Sequence, residues 1–71
     1  MHHIRSTQEL AELIRDSRKR QGLSQEDLAG IANTGVRLIV DIEKGKATCQ
    51  IAKVLDVINA LGIELKVDDE L

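Results

Sequence analysis

No phenylalanine, tyrosine or tryptophan occurs in this chain, so its core must be built from Leu, Ile, Val and Ala. β-Sandwiches usually draw on aromatic as well as β-branched side chains, whereas packed helices can close an aliphatic core, so an all-α fold is expected. The 71 residues suffice for one domain and not for two. With 42% hydrophobic and 31% charged residues, the chain reads as folded and soluble rather than disordered. Its apolar runs are too short to span a bilayer. Met1-His2-His3-Ile4-Arg5 carries no apolar signal stretch, so a cytoplasmic address is expected. The single cysteine, Cys49, excludes an intramolecular disulfide and a cysteine-built zinc site. A core this small rarely supplies more than about 3–5 kcal/mol alone, and a homodimer is the first remedy to expect.

The net charge of −2 argues mildly against a nucleic-acid partner. Its distribution argues the other way. Residues 1–46 hold eight of the ten basic side chains and seven acids, net +1, while residues 47–71 hold two basic and five acidic ones, net −3. An anionic partner should therefore meet the first two-thirds of the chain.

Ser6-Thr7-Gln8-Glu9 is a capping box, with Glu9 reaching back to the start of a helix expected over Thr7–Gln21. Leu10, Leu13, Ile14 and Ser17 recur at helical spacing on its inner face. Gly22 stops it. Ser24 caps a second helix, Gln25–Ala32, with Asp27 answering as the third helical residue and Leu28, Ala29 and Ala32 turned inward. Asn33-Thr34-Gly35 is a tight turn of residues that tolerate positive φ. A third helix, Val36–Lys44, ends at Gly45. Thr48 is expected to cap a fourth, with Ile51, Val54, Leu55, Ile58 and Leu61 inward, ended by Gly62. Ile63–Val67 alternates apolar and charged residues, the period of a strand. The domain plan is a flexible start over 1–6, the helical domain over 7–62, a dimerisation strand over 63–67 and an acidic tail over 68–71.

Two short helices joined by a turn containing glycine form a helix-turn-helix. Ala29 lies where the helices cross, and Gly35 is expected to ease the turn into the next one. Ile39 and Ile42 aim the third helix's apolar stripe at the body. Val36, Arg37, Val40, Asp41 and Lys44 remain outward, a face that could enter a major groove.

Gly22-Leu23-Ser24-Gln25-Glu26-Asp27-Leu28-Ala29, followed by Ile42-Glu43-Lys44-Gly45-Lys46, resembles the Xre/Cro-type helix-turn-helix of phage repressors over about residues 7–62. The chain departs from that pattern at Asn33-Thr34-Gly35, where many members carry Gly-Val-Ser, and at Ala47-Thr48-Cys49, where many carry a proline. With Leu61-Gly62 and the alternation after it, the sequence looks most like the HipB-type antitoxin branch. The resemblance implies a lambda-repressor-like bundle of four helices and a sequence-specific repressor that controls its own operon and binds a HipA-like kinase toxin. It implies that Gln25 bonds DNA phosphate, as free N–H groups at a helix start would favour. Thr34 and Gly35 at the turn, then Val36, Arg37, Val40 and Asp41, are the implied DNA-facing positions. Arg37 would take guanine O6 and N7, Asp41 would accept from cytosine N4, and Val36 would pack on a thymine methyl. Lys44 and Lys46 match phosphate contacts that set register without reading sequence. Arg18 and Glu43 match a pair that ties the first helix to the end of the third.

Plainer readings stand beside these. Arg37, Asp41 and Lys44 can form a solvated face of i,i+3 and i,i+4 pairs, and Asp41, an acid that repels phosphates, can serve only to orient Arg37. Gln25 can be an ordinary first-turn residue, and Arg18–Glu43 an exposed pair worth almost nothing. Arg15, Arg18, Lys19 and Arg20 form a basic run that reads as solvated surface, though its end could touch backbone phosphate. His2 and His3 read as a loose start rather than metal ligands, and Cys49 as a passive small residue. No metal spacing, phosphate loop or nucleophile–base pair supports an enzyme, and no cofactor is expected. The competing functions are a free-standing phage-type or restriction-modification controller regulator, and a helix-turn-helix that serves as a protein-interaction module. The last expectation concerns Ile63, Leu65 and Val67: a lone strand has no ladder partner in the chain, and pairing with its own copy would supply one across a two-fold axis.

Overall fold

Ser6 begins the fold by accepting the Glu9 N–H on its hydroxyl at 3.1 Å, which satisfies a donor that a new helix leaves orphaned. The computed structural model describes residues 3–69. They form α1 (Thr7–Arg20), α2 (Gln25–Ile31), α3 (Val36–Glu43) and α4 (Ile51–Ala60). The Glu9 carboxylate reaches back to the Arg5 N–H at 3.2 Å and the Ser6 hydroxyl at 3.3 Å. At α2 the box is reciprocal: Ser24 Oγ accepts the Asp27 N–H and Asp27 Oδ2 accepts the Ser24 N–H, both at 2.9 Å. Gln21, Ala32 and Lys44, expected as last helical residues, are C-caps.

The core is aliphatic throughout. Ile14, Leu28, Ile39 and Val57 are fully buried, joined by Ala29, Ile42, Val54, Ile58 and Leu61. α3 packs on α1 and α2, and α2 on α4. Two long-range bonds pin the ends of α1. Thr7 Oγ1 donates to the Gly45 carbonyl at 2.8 Å, and Gln21 Nε2 donates to the Leu61 carbonyl at 2.7 Å. No helix among the described residues is long and apolar enough to cross a membrane.

Four expectations need correction. Thr48 is not a cap: α4 begins at Ile51 after Gln50, because residues 47–49 form a second turn and bend after the one at Lys44-Gly45 that leaves α3, with Cys49 packed against the core. The inner stripe of α4 is Val54, Val57, Ile58 and Leu61, while Ile51 and Leu55 stay exposed. Gly35 adopts φ −80°, a conformation open to any residue, and the left-handed turn position is Asn33 at φ 57°.

The fourth correction is the strand over Ile63–Val67. Residues 63–69 form no ladder, and no strand occurs among the described residues. A strand needs a hydrogen-bonded neighbour, and everything that packs upstream is helical. Ile63 instead closes α4, donating its N–H to the Ile58 carbonyl at 3.1 Å. Leu65 is 50% exposed and Val67 90%. His2 and the end of the acidic tail, Glu70 and Leu71, lie outside the described residues.

Candidate nucleic-acid interface

The turn between α2 and α3 follows from its hydrogen bonds. The Ala32 N–H donates to the Leu28 carbonyl and the Thr34 N–H to the Ala29 carbonyl, both at 2.9 Å. Left-handed Asn33 between them reverses the chain, and Gly35 becomes the N-cap of α3. Ala29, Ile39 and Ile42 are buried, so the outer side of α3 is fixed by default. Val36 is exposed there, the Arg37 side chain is 87% exposed, and Val40 is half-buried. Lys44 is exposed at the helix end.

Asp41 gathers the nearby charges. Its Oδ1 lies 3.5 Å from Arg37 Nε, one helical turn earlier, and its Oδ2 lies 3.6 Å from Lys46 Nζ. Lys46 reaches it because the chain folds back at left-handed Gly45, φ 78°, and the Lys46 N–H donates to the Asp41 carbonyl at 3.1 Å. Sequence reasoning placed Lys46 among the phosphate contacts but missed this capture. It also missed Thr7, whose bond to Gly45 holds that turn against the start of α1. Only the Gly-Lys pair after a helix end hinted at either.

Behind α3 lies a buried network. Arg18 donates from Nε and Nη2 to Glu43 at 2.7 and 2.9 Å, and from Nη1 to the Leu23 carbonyl at 2.9 Å. The side chains are 11% and 5% exposed, which rules out the exposed-pair reading. The hydrogen bond to Glu43 raises the Arg18 pKa above its ordinary value, against the opposing effect of burial. Gln25 Nε2 donates to the same carboxylate at 3.3 Å. An amide NH₂ carries two hydrogens, so one stays available to an outside acceptor. At the exposed start of α2, hydrogen bonds from the Ser24 backbone N–H and hydroxyl hold the Asp27 carboxyl below the usual carboxylate range.

The remaining candidates lie apart from this face. Glu12, Asp16, Lys53 and Asp56 are exposed on α1 and α4. Cys49 is half-buried beside Leu10, Ile42 and Val54 in a groove of about 270 Å³. Among the described residues no cluster of three or more His, Cys, Asp or Glu side chains could hold a metal ion.

Residues 9–71 match the helix-turn-helix domain family. The HTH-type transcriptional regulator y4mF of Sinorhizobium fredii is 45% identical over 64 residues, covering 90% of this chain and 84% of that protein. Human endothelial differentiation-related factor 1 is 33% identical over 69 residues, 97% of this chain, which spans 47% of the human protein's length. In fold, the chain is similar to that of the HipB-O4 20mer complex and to that of the HipA-HipB-O2-O3 complex. Each has a TM-score of 0.89 at 18% identity, with both chains fully covered.

Proposed function

This chain belongs to the helix-turn-helix family of transcriptional regulators, of the Xre type, and from that premise we propose that it is a sequence-specific repressor that reads operator DNA through α3. The observation that carries the reading is the outward face of α3, where Val36 and Arg37, with half-buried Val40 beside them, stand outside a core that already occupies Ile39 and Ile42. Arg37 takes guanine in the major groove and Val36 a thymine methyl. Thr34 and Gly35 meet the backbone at the turn, and Gln25, Lys44 and Lys46 contact phosphates and fix register. The relative y4mF is an HTH-type transcriptional regulator, in line with a regulatory rather than an enzymatic role.

Two copies binding one site would set their recognition helices about 34 Å apart on a pseudo-palindrome. Exposed Ile51 and Leu55 on α4, with Leu65 and Val67 beyond it, supply apolar surface for that homodimer. Likeness to the chain of the HipA-HipB-O2-O3 complex supports an antitoxin role, in which the chain represses its own operon in the cytoplasm and binds a HipA-like kinase. The outer sides of α1 and α4, with Glu12, Asp16, Lys53 and Asp56, are the surface left for such a partner. Similarity to the HTH-type transcriptional regulator y4mF supports the transcriptional regulation that the second reading, a free-standing regulator with no toxin, shares with an antitoxin.

Footprinting on the chain's own promoter tests the shared part of both readings. A protected pseudo-palindrome and a silenced reporter support them, and random, sequence-independent coverage removes them. Co-purification of the neighbouring gene's product, with a change in operator affinity, separates antitoxin from free-standing regulator.

A further inference from the structure

The outward side of α3 carries an acid, Asp41, on a surface that must approach phosphates. A cytosine-reading role would need that carboxylate free to point into the groove. Instead its side chain is 21% exposed beneath Arg37 at 87% and Lys46 at 53%, and each of its oxygens faces a cation. We infer that Asp41 is a positioning residue: it couples the base-reading Arg37 to the phosphate-binding Lys46 and contributes selectivity rather than a base contact of its own. This rests on the reading of α3 as the recognition helix.

The geometry suits that role on both sides. Asp41 takes Arg37 by its Nε edge at 3.5 Å, which leaves the two terminal nitrogens as a fork for guanine O6 and N7. Lys46 is tied twice, by its backbone N–H to the Asp41 carbonyl at 3.1 Å and by its ammonium to Oδ2 at 3.6 Å. Both ion pairs are longer than the 2.7–2.9 Å typical of a tight charge-assisted hydrogen bond, so they orient the cations without locking them away. On a duplex with guanine in place, Arg37 exchanges part of this attraction for the base. On a duplex without it, Arg37 stays with Asp41, and the carboxylate opposes the phosphates. Selectivity through such a repulsive element is gained at the expense of non-specific binding.

The test uses duplexes selected by the wild-type chain from a randomised pool, and scrambled duplexes of the same composition, titrated at several salt concentrations. Asp41→Asn is expected to bind scrambled DNA roughly 3–10-fold more tightly, with the salt slope steeper by about one unit as the cations turn to phosphates. The ratio of selected to scrambled affinity should fall roughly tenfold. Asp41→Glu should restore most of that ratio, and Asp41→Asn placed on Arg37→Ala should change it little. An Asp41→Asn chain that loses discrimination at one cytosine position and leaves scrambled binding unchanged overturns the inference in favour of base reading. An unchanged ratio overturns it outright while leaving DNA binding intact. Absence of salt-dependent binding by the wild-type chain overturns the DNA-binding reading and this inference with it.

Discussion

Arg18 and Glu43, 25 residues apart, form a two-pronged ion pair behind α3, with Nε–Oε2 at 2.7 Å and Nη2–Oε1 at 2.9 Å. It joins α1 to the last residue of α3, and through Nη1 it also holds the Leu23 carbonyl in the loop before α2. The helix that presents Arg37 is therefore anchored at its far end by a contact that Gln25 shares.

Removing one partner leaves the other buried and uncompensated. Arg18→Ala or Glu43→Ala should each cost about 3–5 kcal/mol, comparable to the whole stability expected of so small a domain. Thermal or urea unfolding should show both variants largely unfolded at ambient temperature. The double variant Arg18→Met/Glu43→Leu should recover most of the loss, because apolar packing replaces the pair without stranding a charge. A double variant as unstable as either single one would show that the pair contributes more than mutual compensation.

Gly35 and Gly45 flank α3 and should respond oppositely to alanine. At Gly35, with φ −80°, an added Cβ meets nothing within 4 Å, so Gly35→Ala should change stability by about 0.5 kcal/mol or less. At Gly45, φ is 78° and an added Cβ meets Gln8. Gly45→Ala should therefore cost about 1–2 kcal/mol in left-handed backbone strain alone. Melting temperatures of the two variants, measured side by side, check this.

Asp27 links the cap of α2 to pH. Its folded-state pKa is lowered by hydrogen bonds from Ser24, so its contribution is full above the unfolded value of about 3.9 and is lost as pH falls through the lowered one. The stability gap between the wild type and Asp27→Ala should be constant near neutrality and shrink in acid, below about pH 4. Chemical denaturation across that range reads it directly. A gap that grows in acid would contradict the assignment.

Helix starts were legible where a side chain caps the backbone, as at Ser6 and Ser24, and helix ends where glycine follows, as at Gly22, Gly45 and Gly62. α4 was harder. Ile51-Val54-Leu55-Ile58-Leu61 and Val54-Val57-Ile58-Leu61 are both helical stripes, and only packing against α2 and the neighbouring core selects the second. Alternation over Ile63–Val67 reports side-chain polarity, but a ladder also needs a second backbone, which this chain does not provide among its described residues. At the candidate interface, the outward position of Val36 and Arg37 followed from the burial of Ile39 and Ile42. The pairings of Gln25 with Glu43 and of Asp41 with Lys46 depend on how a turn and two helices meet, which no local pattern records.

Whether α3 reads bases while its neighbours hold phosphates is tested most directly by Arg37→Ala measured beside Lys46→Ala. On a duplex selected by the wild-type chain, Arg37→Ala should lose about 1–3 kcal/mol and relax preference at one base position per half-site. Lys46→Ala should weaken selected and scrambled duplexes alike and flatten the salt slope by about one unit. If both variants instead lose equally on selected and scrambled DNA, with base preferences unchanged, Arg37 is only another phosphate contact and α3 is not the helix that reads sequence.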